Sequence, residues 1–457
     1  MTMSVSSQKL SHELVSDRDG VGKLIRIWRP SGKGLVNDSA CLEVAFQRTV
    51  RVSDNNSTNN LPPGMGSFPI SKTSDCQKTL PPCFAAKEGY LLPMYQREAL
   101  WIQFQSWQPF AVKIYAGGVN VVSGEPSLKK DEMGIYRDTR SKNKKNVQDY
   151  IVTPEQLWLD GIATTDGKVR QFVAMPLGSG YSIKAQVIGI DLIGGLQIEV
   201  TPMKILNPPV GEQLPSTVSK KPATVPHFCI FVRTFFGDYA PFSVSKLHTV
   251  WEVKLMLQDV VGMPPGKQRL VTRPGGVPME DRETLATYDL KHESMVLLLG
   301  RLGGGGGGPI NMSISAGGLI KQSIKKDNYD PEIWDAENGT RFNVRILNSD
   351  TFKHVTGKEP PQTPITAKTY AEHGFPYFDI FDEKPSGIKG EFAGVKSVAE
   401  KDSQGAPCPT KAKAVAETVR DTQNPVVTLD QKGKRVRPSP AEDLKEYPNK
   451  KFCKPST

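Results

Sequence analysis

The sequence is poor in cysteine, in histidine and in long apolar runs. Its six cysteines are scattered over 457 residues, which is too few for a disulfide framework, and they lack the paired spacing of a zinc site. Of the six histidines, His227 alone lies close in sequence to a cysteine, Cys229, and this pair lacks two of the four ligands of a structural zinc site. We therefore expect no metal, no cofactor and a reducing compartment.

No window approaches 18 consecutive apolar residues, and the first residues show no basic stretch followed by an apolar run. We accordingly expect neither a membrane span nor a secretory signal, and no membrane partner. The expected location is the cytoplasm, with the nucleus as the alternative because a short basic cluster is present in the C-terminal region. Its members are Lys432, Lys434, Arg435 and Arg437. Such clusters are more often the solvated part of a tail.

Motifs of the common enzyme classes are absent as well. There is no G-x-S-x-G, no P-loop and no H-E-x-x-H, and the literal G-x-G-x-x-G is a glycine run that opens no helix. Asp160, Asp166 and Asp191 are isolated carboxylates in or near predicted turns, where aspartate usually caps the backbone. We assign no catalytic residue and favour a protein that is not an enzyme.

Two segments have the composition of linkers. Residues 206–226 are rich in Pro, Ser, Thr and Lys, which favours an extended spacer. Residues 303–309 are six glycines and a proline, a run with very large backbone freedom. Together they enclose a unit at 227–302 whose size is typical of a small domain.

Alternating apolar and polar side chains predict strands on both sides of this unit. Residues 85–205 form a predicted β-rich module with hairpin turns at Gly117–Gly118 and around Gly167, and residues 310–396 form a second β-rich or α+β module. Residues 1–84 are predicted to be partly disordered with short strands. Residues 397–457 are predicted to be a disordered basic tail because they lack apolar periodicity. The sequence leaves open whether the two flanks make one split domain or two.

A series of aromatic residues in the first module suggests an alternative function. The series precedes a basic segment at 129–145 and comprises Tyr90, Tyr95, Trp101, Phe104, Trp107, Phe110 and Tyr115. Aromatic rings on a sheet face can stack on sugars or on bases. Aromatic residues at strand positions are more often core, however, so we do not expect nucleic acid as a partner.

The enclosed unit has the pattern of a β-grasp fold. Two apolar runs around Gly237 predict a hairpin, and Thr249 is a suitable N-cap for the helix that follows. The apolar stripe of this helix contains Val250, Val253 and Leu257. Short strands follow, so the pattern predicts one helix packed across a mixed sheet.

Specific strings within this unit resemble ubiquitin. They are IFVRT, GMPPGKQRLV, MEDRETLATYDL, KHES and the terminal RLGG. The resemblance covers residues 228–305, and the flanks resemble no characterised family. The predicted fold class is therefore α+β, with a central ubiquitin-like β-grasp domain, β-rich modules on both sides and a disordered basic C-terminal tail.

The resemblance implies a surface for partners. Ubiquitin presents an apolar patch to its receptors, and the positions that match this patch are Phe235, Val271 and Leu299, with Arg269 and Arg301 at the rim. The sequence leaves open whether the chain's own β modules cover these residues.

The glycines at the end of this unit are followed by Pro309 and the rest of the chain, whereas ubiquitin ends at its glycines. A cut before Pro309 is disfavoured because proline lacks the N–H and crowds the site. A cut near Gly304 and Gly305, the candidate processing site, avoids the proline. Gly303 replaces an arginine of ubiquitin, which disfavours recognition by processing and activating enzymes. Of the chain-linkage lysines of ubiquitin, Lys254 alone clearly matches, which implies a poor substrate for chain building.

The favoured function is a non-enzymatic adaptor that binds ubiquitin-receptor domains or proteasome subunits through the β-grasp patch. One alternative is a ubiquitin-like modifier precursor that is processed within the glycine run. The other is an uncharacterised enzyme, or a carbohydrate- or nucleic-acid-binding module, in the β-rich flanks.

Overall fold

The computed structural model describes most of the chain in segments. They are residues 9–17, 20, 22–30, 41–55, 57–76, 79–80, 89–126, 148–189, 194–204, 227–233, 239–261, 265, 268–273, 276–300, 311–361, 377–380, 386, 388–392, 394–404 and 426–430. Phe235, Arg301, Gly304, Gly305 and Asp191 lie outside them, as do the glycine run, the basic segment at 129–145 and the basic cluster at 432–437.

In its described residues, the N-terminal flank contributes fifteen strands and one short α-helix. They are β1 Ser11–Ser16, β2 Lys23–Trp28, β3 Cys41–Thr49, β4 Thr58–Asn59, β5 Gly64–Ser67, β6 Ser71–Lys72, β7 Tyr90–Met94, β8 Ala99–Ser106, β9 Phe110–Ala116, β10 Val119–Asn120, β11 Ile151–Thr153, β12 Trp158–Leu159, β13 Gly161–Ala163, β14 Val169–Pro176, α1 Ile183–Ile188 and β15 Leu196–Pro202.

The enclosed unit and the C-terminal flank supply the remaining elements. The unit contains β16 His227–Arg233, β17 Tyr239–Ser245, α2 Val250–Val261, β18 Gln268–Arg273 and β19 Met295–Gly300. The C-terminal flank contains β20 Asn311–Ile320, β21 Thr340–Asn348, α3 Ser349–Thr356, β22 Tyr377–Ile380, α4 Val398–Ser403 and β23 Val426–Leu429. Among the described residues, no helix is long and apolar enough to cross a membrane.

The two flanks form one sheet. Strand β20 pairs antiparallel with β14 from Met312↔Pro176 to Ile320↔Val169, and β21 lies between β15 and β7. Their side chains share a single hydrophobic core, in which Val112 and Leu196 from one flank pack with Ile314 and Val344 from the other. The flanks are therefore one split domain, called the host domain below. The division into separate modules at 85–205 and 310–396 does not correspond to this sheet.

Glutamine side chains add polar contacts between the two flanks. The Gln148 amide donates to the Lys325 carbonyl at 2.9 Å and accepts from the Asp327 N–H at 2.7 Å. Gln322 accepts from the Asp160 N–H at 3.0 Å. Because buried peptide groups need partners, these amides replace missing sheet hydrogen bonds where the two flanks meet.

Both predicted hairpin turns are confirmed. Gly117 and Gly118 have φ angles of 60° and 88°, and they join β9 to β10 with Ala116 opposite Val119. Positive φ at both central residues defines the turn type that suits a two-residue hairpin. Gly167 also has positive φ, 79°, in the turn between β13 and β14.

The prediction of disorder at 397–457 is wrong for two segments, which form α4 and β23. Helix α4 is held to the host domain by Val398, which is buried against other apolar side chains, and by Asp402, which pairs with Arg97 at 2.7 Å and accepts from the Tyr181 hydroxyl at 2.8 Å. Strand β23 pairs in parallel with β22. Within 1–84, where short strands in a partly disordered region are predicted, the nine-residue β3 pairs with β8 from Leu42 to Thr49. For α4, one apolar residue suffices because the host domain supplies the other side chains of the contact.

Candidate protein-binding face

The enclosed unit has its own sheet and its own core. The sheet has the strand order β17-β16-β19-β18, in which β16 and β19 are parallel and the other pairs are antiparallel. Helix α2 covers its inner face, and the predicted stripe of Val250, Val253 and Leu257 is fully buried there. This arrangement is the β-grasp fold that the pattern predicts.

A capping box begins helix α2. The Glu252 N–H donates to the Thr249 hydroxyl at 3.2 Å, and the Thr249 N–H donates to the Glu252 carboxylate at 2.7 Å. The two residues thereby satisfy two peptide N–H groups that the helix cannot. The hydrogen bonds from the Thr249 backbone and hydroxyl lower the pKa of Glu252.

Lys254 faces the interior of this unit. It is 0% exposed, and its amine forms an ion pair with the Asp281 carboxylate. An amine in this position is closed to a conjugating enzyme unless the domain opens. Burial of the one lysine that matches a chain-linkage site of ubiquitin therefore disfavours the attachment of a further ubiquitin to it.

The outer face of the sheet carries apolar side chains on β19, one of its two inner strands. On β19, Met295, Leu297 and Leu299 alternate with the buried Val296 and Leu298. We call the three outward-facing side chains the β19 ridge. In the antiparallel register with β18, Arg273, Val271 and Arg269 stand opposite Met295, Leu297 and Leu299, in that order.

Strand β16 borders the ridge on its other side. Phe231 pairs with Met295 and Arg233 with Leu297 in the parallel register. The side chains of Phe231 and Arg233 are half-buried, whereas the next residues inward, Ile230 and Val232, are 0% exposed. The ridge thus has an arginine on β16 and arginines on β18.

The exposed apolar side chains of this face lie on β19, whereas the match to ubiquitin also placed Val271 of β18 among them. Met295 is 40% exposed and Leu299 is 37% exposed, whereas Val271 is only 7% exposed. Arg269 is exposed, as a rim residue should be. The matching of positions to ubiquitin missed Met295 and Leu297, although the alternation in MVLLLG could have shown them.

The other residues singled out in the sequence lie elsewhere. The aromatic residues Tyr90, Tyr95, Trp101, Phe104, Phe110 and Tyr115 are all buried in the host domain, so they do not form a stacking platform. Trp107 is exposed, between β8 and β9.

The predicted turn aspartates behave differently from each other. A hydrogen bond from the Thr164 hydroxyl lowers the pKa of the exposed Asp166, which caps its turn. Asp160 is buried at 2% exposure, so the expectation of a surface cap was wrong for it.

No metal-binding arrangement is present in the described part of the chain, where no three His, Cys, Asp or Glu side chains are grouped for an ion. Cys229, on β16, is half-exposed. Its backbone N–H donates to the ring of His292 at 3.2 Å, which gives that histidine a structural role.

Comparison with known protein families agrees with this geometry. Residues 230–303 match the model of the ubiquitin family. The matched range begins in β16 and includes all of β17, α2, β18 and β19. The chain therefore contains a ubiquitin-like domain, which is inserted between strands β15 and β20 of the host domain.

Proposed function

We propose that the protein is a non-enzymatic adaptor whose ubiquitin-like domain binds ubiquitin-receptor domains or proteasome subunits through the outer face of its sheet. One observation carries the proposal: the exposed Leu299 lies opposite the exposed Arg269, and Val271 lies opposite the next ridge residue, Leu297. An apolar centre with a basic rim is typical of surfaces that form transient protein contacts. The role fits the cytoplasm or the nucleus.

The host domain favours this adaptor over a modifier precursor. Conjugation requires the glycine end of the ubiquitin-like domain to be free. The chain instead continues into β20, which is hydrogen-bonded to β14 on one edge and to β21 on the other. A cut near Gly305 would leave the N-terminal fragment without β20 and β21. The transferred unit would then carry the whole N-terminal flank together with the ubiquitin-like domain, and β20 and β21 would be held to it by non-covalent contacts alone.

The test uses the full-length protein, immobilised and exposed to a panel of purified ubiquitin-receptor domains and proteasome receptor subunits. We expect at least one to bind, and Leu299→Asp to weaken that binding by about tenfold or more, because a charge replaces a central apolar contact. Leu247→Asp is the matched control, since Leu247 is a 66% exposed apolar residue of the same domain outside the face.

Two results would contradict the adaptor. One is that no receptor binds. The other is that Leu247→Asp and Leu299→Asp weaken binding equally, which would mean that the contact lies off the proposed face. The melting temperature of each variant shows whether the domain is still folded.

A further inference from the structure

Helix α4 is held to the host domain mainly by charged and polar side chains. Arg97 pairs with the Asp402 carboxylate at 2.7 Å, and the Tyr181 hydroxyl donates to the same carboxylate at 2.8 Å. The Arg170 guanidinium lies 3.6 Å from the Glu400 carboxylate. Both acidic side chains are 32% exposed, so water and salt reach these ion pairs and weaken them.

Apolar contact adds a single side chain of α4 to this attachment. Val398 is the residue of α4 that belongs to a hydrophobic cluster, where it packs with four residues of the host domain. They are Ala99, Val173, Met175 and Tyr181, and each of them is 0% exposed. The helix thus covers an apolar strip of the host domain with one apolar residue of its own.

The surface beneath α4 also contains two buried serine hydroxyls. Helix α4 contacts β20, on which Ser313 and Ser315 stand opposite Met175 and Val173 of β14. The serines therefore share the face against which Val398 packs. Both are 1% exposed, and in the described part of the chain their hydroxyls have no hydrogen-bond partner. Because a buried hydroxyl without a partner costs free energy, α4 is imperfectly matched to the surface that it covers.

The chain just before α4 is anchored independently of the helix. Phe392 and Val395 belong to the main hydrophobic core of the host domain. The Gln186 amide accepts from the Lys396 N–H at 2.8 Å and donates to the Lys396 carbonyl at 3.1 Å. Release of α4 therefore requires a change only in the residues after Lys396, and it leaves the host core in place.

We propose that the surface beneath α4 is a binding site for an acidic segment of a partner protein, and that α4 occupies this site as an internal competitor. The partner segment has the features that α4 uses, an apolar residue and a carboxylate four positions later, as in Val398 and Asp402, which lie on one face of a helix. Arg97 and Arg170 supply the charge complementarity that selects carboxylates over neutral or basic segments.

The tether of α4 sets how strongly it competes. A segment joined directly to its site has an effective concentration on the order of 1 mM, so a partner at lower concentration binds weakly until α4 is released. This inference goes beyond the adaptor function, because the site lies on the host domain and is separate from the ubiquitin-like domain.

The first experiment measures hydrogen–deuterium exchange of the full-length protein by mass spectrometry, at low and at high salt. We expect residues 397–403 to exchange about threefold faster or more at high salt, because salt screens the partly exposed ion pairs, while β14 is unchanged. Equal exchange of α4 at both salt concentrations would overturn the inference, since α4 would then not open through the loss of these pairs.

The second experiment measures binding of a fluorescent peptide with the sequence of residues 396–404 to the full-length protein by anisotropy. Glu400→Gln and Asp402→Asn, made together, remove the carboxylates of α4 and weaken the internal competitor. We expect the peptide to bind this double variant about tenfold more tightly or better than the wild type. The matched control is Asp379→Asn, which alters an ion pair whose aspartate is 31% exposed and should leave peptide binding unchanged.

Variants on the host side then locate the contact. Arg97→Asn removes two hydrogen bonds to Asp402, at 2.7 and 2.8 Å, and asparagine tolerates the positive φ of 67° at this position. In the double variant it should weaken peptide binding by about tenfold or more, because a bidentate charged contact is lost. A peptide with Gln and Asn in place of its two acids should bind no better to the double variant than to the wild type.

Three results would overturn the proposed site. One is that the peptide does not bind the double variant, although its melting temperature shows that it is folded. Another is binding that does not depend on Arg97 or on the carboxylates of the peptide. The third is a dimer of the wild-type protein that the double variant does not form, which would assign the site to α4 of a second copy of the chain and exclude a partner protein.

Discussion

Cutting the chain within the glycine run should leave the host domain assembled. The perturbation is a specific protease site that replaces part of the glycine run, followed by cleavage of the purified protein. The C-terminal fragment begins shortly before β20, whose pairing with β14 runs from Pro176↔Met312 to Val169↔Ile320. It also carries β21, which lies between β7 and β15.

The size of the effect follows from the loss of the covalent connection. In the intact chain the two halves meet as parts of one molecule, at an effective concentration on the order of 1 mM for a flexible connection. At about 10 µM protein the cut lowers this about 100-fold, which costs about 3 kcal/mol at 1.4 kcal/mol for each factor of ten. Domains are typically stable by about 5–15 kcal/mol, so most of the cleaved protein should remain folded.

The assay is size-exclusion chromatography with native mass spectrometry, before and after cleavage. We expect the two fragments to elute together at the position of the intact protein and to separate only in denaturant. A second site in the linker at 206–226 provides the matched control, and only the double cut should release the ubiquitin-like domain. Separation of the fragments in native buffer after the single cut would refute the argument that the two flanks are one domain.

Two further predictions concern single ion pairs. Asp281→Ala should destabilise the ubiquitin-like domain by about 1–3 kcal/mol, because the buried Lys254 loses a counter-charge that is itself 36% exposed. Asp289→Asn removes the charge of an exposed pair and tolerates the positive φ of 45° at this position, so it should change the unfolding free energy by under about 1 kcal/mol. Equal losses in urea unfolding would contradict this. Burial alone would raise the pKa of Asp402, but hydrogen bonds from Arg97 and Tyr181 outweigh it and lower the pKa. A pKa below the unfolded value contributes stability above that value, which is lost as the pH falls through the folded pKa. Asp402→Asn should therefore flatten the acid side of the stability–pH curve, and an unchanged curve would show that Asp402 contributes nothing to it.

The elements that the sequence predicted correctly depend on neighbouring residues. The turn at Gly117–Gly118 requires positive φ at two adjacent positions, which glycine adopts without strain, and the apolar stripe of α2 repeats within a single helix. Each of these two patterns can be read from residues that are neighbours in the sequence. The same applies to the capping residue Thr249, whose contact partner is Glu252.

The single host domain could not be predicted in this way. Strands β14 and β20 pair across a separation of more than 130 residues, with a whole domain between them. A strand pattern shows that a segment is extended and which side chains share a face, but it does not name the strand that will pair with it. The order of α4 was missed for a related reason, because Arg97 and Tyr181 hold it from the other flank.

The candidate face was predicted in part. Matching to ubiquitin located Val271 and Leu299, but the burial of Val271 and the exposure of Met295 depend on the side chains that surround each position in the folded sheet. The register between β18 and β19 decides these neighbours. A residue-by-residue match therefore names residues of the outer face, whereas the exposure of each one required the structure, and the binding of a partner to this face stays a prediction.

The two positions at which the ubiquitin-like domain joins the host domain, after β15 and before β20, are far apart. In the host sheet the Gly195 N–H donates to the Met312 carbonyl at 3.1 Å, so the start of β15 lies beside the start of β20. The chain then leaves at the far end of β15, about 20 Å away for a seven-residue strand.

The two ends of the ubiquitin-like domain are also far apart, by about 30 Å along the strand direction at about 3.3 Å per residue. Strands β16 and β19 are parallel, with Phe231 opposite Met295, so the chain enters at the start of one strand and leaves at the end of the other. The domain is consequently tethered to the host at two separate points. Two tethers restrict the orientations of a domain more than one tether does, and in the uncut chain neither end is free. The outer face of the sheet needs no free end to bind a partner, which makes that face the part of the ubiquitin-like domain that an insertion of this kind leaves usable.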